Sequence, residues 1–149
     1  MRRGLIGVAV TALLAVATLG LGAGTAAAVT NPYTPTQVCG SSYSVLDSMP
    51  VKTNSGATWG RVYLLWSSSA QKNCVVTLKS SFVGVSTHTM AYADAQNGNG
   101  ALAEGNYSYY AYDTVYAPNS CVMYGGYIYS GTSTNTSNYA YAGSDWGWC

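Results

Sequence analysis

The chain has 149 residues, of which 48% are hydrophobic and only 7% charged; six basic and five acidic side chains leave a formal charge of +1. So few cations exclude a nucleic-acid footprint and a polybasic membrane patch. Fourteen tyrosines stand against one phenylalanine, so the aromatic surface carries hydroxyls, and solubility rests on these and on Ser, Thr and Asn.

Met1-Arg2-Arg3 is a short positive head, Gly4 to Leu21 is uncharged and rich in Leu, Val and Ala, and Ala26-Ala27-Ala28 offers small residues to signal peptidase. Residues 1–28 therefore read as a signal peptide cleaved after Ala28. A retained anchor is disfavoured by Gly20, Gly22 and Gly24 and by the lack of a basic flank afterwards. No membrane insertion is expected after cleavage. The exported chain, from Val29, keeps four basic and five acidic residues and suits one domain.

Cys39, Cys74, Cys121 and Cys149 make an even set in an exported chain, which reads as two disulfides with three possible connectivities. The pairing Cys39–Cys74 and Cys121–Cys149 is favoured because each bridge staples a neighbouring portion of chain. A metal site is not expected, since no C-x-x-C spacing occurs and His88 is the single histidine. No cofactor is implied.

Residues 29–38 hold Pro32 and Pro35 and no hydrophobic period, which predicts an extended N-terminal arm before a β domain over 39–149. Between Gln37 and Met49, Val38, Val45 and Leu46 could form a short helical turn. Arg61–Trp66 and Cys74–Lys79 are β-branched and aromatic, and the polar SSSAQKN between them makes a hairpin. Ser86–Asp94 alternates, and Gln96–Gly100 is the strongest turn, with glycines beside asparagines. Asn106–Tyr112, Thr114–Ala117, Cys121–Tyr129 and Tyr139–Tyr141 complete the strand-like segments. No sustained helical period occurs. The fold class is all-β: a single antiparallel β-sandwich or barrel stapled by two disulfides.

Strand alternation then places the rings. Along 106–112, Tyr107, Tyr109 and Ala111 share one face and Ser108, Tyr110 and Tyr112 the other. Along 121–129, Tyr127 and Tyr129 share a side with Met123, while Tyr124 and Ile128 point the other way. Two explanations follow: tyrosine replaces phenylalanine to keep a charge-poor sheet soluble, or some rings form an exposed platform. Tyr110 and Tyr112 are expected to be the exposed pair, because Ser108 and Thr114 complete their face. The C-terminal SDWGWC, with Asp145, Trp146 and Trp148, is a second candidate ligand-binding edge, or a disulfide packed under indoles.

No catalytic residue is expected. His88 sits among hydroxyls with no G-x-S-x-G nucleophile, and the five carboxylates show no pairing of the kind glycoside hydrolysis needs. The segments TPTQVCGSSYSVLDS (34–48), GRVYLLWSSSAQKNCVVTLKS (60–80) and CVMYGG (121–126), with a cysteine near the end, resemble the spore-associated protein A family, small exported proteins of sporulating actinobacteria. That resemblance implies structural roles for the four cysteines, a location on spores and aerial growth, and no catalytic residue. Tyr107–Tyr141 departs from the family pattern by its richness in tyrosine. The expected function is that of a non-enzymatic secreted protein at the cell wall or spore surface. It would bind glycan or coat protein through Tyr110, Tyr112, Trp146 and Trp148. The alternatives are an adaptor or inhibitor for another secreted protein, working through the 29–38 arm, and thirdly a small hydrolase.

Overall fold

A computed structural model describes residues 29–135 and 137–149; the expected signal peptide lies outside the described residues. A five-residue helix α1 (Pro35–Cys39) precedes eight strands. These are β1 (Ser44–Thr53), β2 (Thr58–Ser67), β3 (Lys72–Lys79), β4 (Thr87–Ala95), β5 (Gly100–Tyr107), β6 (Tyr110–Tyr116), β7 (Val122–Tyr129) and β8 (Tyr139–Gly143). All pairs are antiparallel, in one sheet of order β5-β4-β7-β8-β1-β2-β3-β6. The all-β expectation holds, in its barrel form.

The two terminal strands of that order, β5 and β6, are consecutive in the chain and meet at a seam without ladder pairing among the described residues. Side chains close it. The Leu102 N–H donates to Asp113 Oδ2 at 3.0 Å, and the side-chain amides of Asn97 and Asn99 donate to the Tyr116 carbonyl at 3.1 and 2.8 Å. The barrel is nearly closed and its edges are engaged rather than left as templates for aggregation.

The lumen is narrow, which explains its small side chains. Ala91, Ala93, Ala111 and Ala140 line it together with Val51, Val62, Leu64, Val75, Val122 and Ile128, all fully buried. Thr77 on β3 donates across it to the Met90 carbonyl on β4 at 2.9 Å. A Cβ at Gly126 would collide with the Thr77 hydroxyl; the glycine lets the walls approach. Tyr124 is the one tyrosine wholly inside, its hydroxyl donating to Asp47 Oδ2 at 2.8 Å. Burial first, and this bond second, push its phenol well above the ordinary range.

A second cluster lies outside the barrel. Leu65, Cys74, Val76 and Leu78 on the outer face of β2 and β3 are covered by Val38, Cys39 and Tyr43, with Tyr63 and Tyr110 alongside. The Cys39–Cys74 bridge pins α1 over this face, and Cys121–Cys149 pins the C-terminus; both pairings are those favoured from the sequence.

Three expectations need correction. The 29–38 arm is not extended throughout. Thr34 caps α1 with a reciprocal Thr34–Gln37 capping box and Pro35 begins it, while the Asn31 amide donates to the Lys79 and Tyr109 carbonyls. The helical turn expected within 37–49 is confined to its start, and from Ser44 the chain is β1. Pro50 and two irregularities in register, at Val45/Asp47 and Val51/Lys52, obscure that strand's period. Pro50 is tolerated because β8 pairs β1 only at Lys52 and Thr53. Finally, Asn106–Tyr112 is not one strand; it turns at Ser108–Tyr109.

Candidate functional site

The turn at Ser108–Tyr109 rearranges the tyrosines expected to form a platform. Tyr112 is exposed at 46%, but Tyr110 is half-buried against the outer cluster and under Tyr33. Tyr110 and Tyr112 are therefore not an exposed pair: the arm that covers Tyr110 was expected to stand away from the domain. The Tyr33 ring meets Tyr109 at 5.4 Å and 65° and Tyr110 at 5.0 Å and 74°, and Tyr110 meets Tyr112 at 5.9 Å and 61°. These are edge-to-face contacts of a packed cluster. They do not make a flat surface.

A larger aromatic patch lies elsewhere. On the outer face of β7 and β8, Tyr127 lies directly opposite Tyr141, and Tyr129 opposite Tyr139. Ring centroids are 4.5 Å apart for Tyr127–Tyr141, 5.5 Å for Tyr129–Tyr139, 5.9 Å for Tyr127–Tyr139 and 6.3 Å for Tyr127–Tyr129. The angles between these rings run from 20° to 44°, so the four form one continuous aromatic pavement in which Tyr127 and Tyr129 are stacked and the other pairs tilted. Tyr92 on β4 extends it, its hydroxyl 3.3 Å from that of Tyr141.

Glycine makes the pavement possible. Gly125 faces Tyr92 in the β4–β7 ladder and Gly143 in the β7–β8 ladder. A Cβ at Gly125 would collide with the Tyr92 ring, and one at Gly143 with the Tyr141 hydroxyl. The rings of Tyr92 and Tyr141 lie over bare backbone where a side chain would displace them. Burial pushes the phenols of Tyr92 and Tyr127 up, reinforced at Tyr92 by its bond to Tyr141. Both stay neutral at ordinary pH, each able to donate and accept a hydrogen bond.

Charge borders this face, and Asp94, two residues from Tyr92 on the same side of β4, adds to the upward push on its phenol. Across the ladders the row runs Glu104, Met90, Tyr127, Tyr141, Lys52. His88 stacks edge-on against Tyr129 at 5.2 Å, and its Nε2 lies 3.2 Å from Glu104 Oε1. That pair stands on the open sheet, and neither residue lines any of the three clefts described around Trp148, the arm and Tyr112. Among the described residues no group of three His, Cys, Asp or Glu could hold a metal.

The second expected edge divides. Trp146 is 47% exposed. Trp148 is 37% exposed, packs edge-on against Tyr124 at 5.2 Å, and lines a cavity at the C-terminal end of the barrel. The pavement itself is invisible to a one-dimensional reading, because residues 92, 127–129 and 139–141 meet only through strand order and register. The one signal in the sequence is the alternation of β7, which sets Tyr127 and Tyr129 opposite Tyr124 and Ile128.

No family model and no solved structure matches the chain. Over 93 residues it is 41% identical to Spore-associated protein A of Streptomyces coelicolor, a match covering 61% of this chain and 56% of that protein. The chain thus spans little more than half the length of the curated relative. This likeness bears out the resemblance read from the sequence.

Proposed function

We propose that this protein is an exported, non-catalytic component of the cell or spore surface that binds uncharged glycan through the pavement of Tyr92, Tyr127, Tyr129, Tyr139 and Tyr141. The observation that carries the reading is the continuous contact of four of these rings, stacked or tilted, on an outer sheet face. Pyranose rings present flat C–H faces ringed by hydroxyls, which match flat aromatic rings with neutral phenols between them. A stacking platform for single-stranded nucleic acid would also need a cationic groove, and Lys52 is the single cation in the rows across this face. The relative's name, Spore-associated protein A, supports a surface location, as do two disulfides. An adaptor working through residues 29–38 is less well supported, since Asn31, Tyr33 and α1 are already engaged. The test is co-sedimentation of the purified protein with cell-wall glycan and with spores. Retention displaced by soluble glycan fragments is the expected result; a protein left in the supernatant of both would overturn the reading.

A further inference from the structure

We infer that the C-terminal end of the barrel holds a second, separate binding site: a pocket for one N-acetylated pyranose ring. A cavity of about 350 Å³ opens there between Trp66 on β2 and Trp148, with Leu46, Asn73, Ala117 and Ser120 also in its lining. That volume is at the small end of ligand pockets, roughly 300–1,000 Å³, and suits a single ring more than a polymer.

Its polar groups are built in. Asn73 is only 2% exposed, and its amide nitrogen donates to the Leu65 carbonyl at 3.2 Å. Among the described residues no buried side-chain oxygen lacks a partner, so the Asn73 carbonyl is not an unmet acceptor; as part of the cavity lining it offers two lone pairs, either of which can accept from a ligand N–H or O–H. Ser120 is 9% exposed and its Oγ accepts from the Asn97 N–H at 3.0 Å, which leaves the hydroxyl hydrogen to donate. One acceptor and one donor, beside two indoles and the apolar Leu46 and Ala117, match the N–H, C=O and methyl of an acetamido group on a ring with an apolar face.

The indole wall is held in place. Trp148 has φ of +51°, in the left-handed region that a bulky residue rarely adopts. The Val122–Gly147 bridge before it and the Cys121–Cys149 disulfide after it fix that conformation. Backbone strain of this kind, kept where neighbours on both sides enforce it, is a pointer to a functional position.

This inference extends the glycan reading to different residues, so the two can fail separately. The experiment is calorimetric titration of the disulfide-bonded protein with N-acetylglucosamine, with glucose as the control lacking the acetamido group. Saturable binding is expected for the parent protein and for Tyr127→Ala/Tyr141→Ala, with glucose weaker. Trp148→Ala and Ser120→Ala should each bind at least about tenfold more weakly while remaining folded by circular dichroism, with melting lowered by the lost Tyr124 contact and the lost Asn97 bond. Absence of saturation with the parent protein, or affinity untouched in both pocket variants, would overturn the pocket while leaving the pavement standing. Loss confined to the pavement variant would overturn it as well.

Discussion

Lys79 is 1% exposed at the mouth of the barrel and has no carboxylate beside it. Its Nζ donates to the Val85 carbonyl, the Thr87 hydroxyl and the Tyr107 carbonyl at 2.8, 2.8 and 2.9 Å. It thereby ties the end of β3 to the start of β4 and the end of β5. Burial lowers its pKa from 10.5 to about 8. At about 1.4 kcal/mol per pH unit, that gap costs the charged fold at most about 3 kcal/mol at neutral pH. Lys79→Met removes this cost but leaves three buried acceptors without their donor, at about 1–3 kcal/mol each. Taking the middle of that range, the variant should lose about 3 kcal/mol at pH 7.

The same lysine sets the slope of stability with pH. Below about pH 8 it is charged in both states and the cost is present in full. Between about 8 and 10.5 the unfolded chain still binds the proton that the fold has released, so stability rises with pH. Urea denaturation at pH 7 and at points up to pH 10 measures both effects. A Lys79→Met protein as stable as the parent at pH 7, or with the same rise above pH 8, would refute the reasoning.

Above pH 10 the sign reverses. The phenols of Tyr92, Tyr124 and Tyr127 are held neutral by burial, so the unfolded chain ionises first and stability falls; the phenolate absorbance of these three should therefore appear together with unfolding, as a late step in the alkaline titration. Gly143→Ala should lift the Tyr141 ring and change the near-ultraviolet circular dichroism at a cost of about 1 kcal/mol or less, whereas Gly126→Ala, which meets Thr77 inside the lumen, should cost about 1–3 kcal/mol; equal melting temperatures would contradict the assignment of faces. Asp113→Ala removes the acceptor of the Leu102 N–H at the seam, and should cost about 1 kcal/mol while accelerating hydrogen exchange at that amide.

Much of this molecule is legible in its sequence where local chemistry decides. The turn at Gln96–Gly100 is required by Gly98, which adopts φ of +90° between β4 and β5. The β2–β3 hairpin follows from two β-branched runs around a polar spacer, and pairs Leu65 with Cys74. Tyr124 and Ile128 fall inside the barrel and Tyr127 and Tyr129 outside, as alternation requires. Legibility ends where partners come from afar. Tyr110 looks as free as Tyr112 until Tyr33, far away in the chain, is laid across it. β1 hides because its proline and irregular register break the period by which a strand is recognised. The pavement hides more completely, since each of its strands carries only one or two of the rings. What assembles them is the order β4-β7-β8, and short glycine-rich strands do not announce their neighbours.

The central claim, that the pavement is the binding face, is tested most directly by an isotherm on purified cell-wall glycan. The parent protein is compared with Tyr127→Ala/Tyr141→Ala and with Tyr110→Ala/Tyr112→Ala, each with a thermal melt beside it. Anchor rings contribute about 1–3 kcal/mol each, so the pavement pair should bind at least about tenfold more weakly, with its fold intact. The other pair should bind like the parent while melting lower, because Tyr110 packs on the outer cluster. Full affinity in Tyr127→Ala/Tyr141→Ala, or loss confined to Tyr110→Ala/Tyr112→Ala, would contradict it.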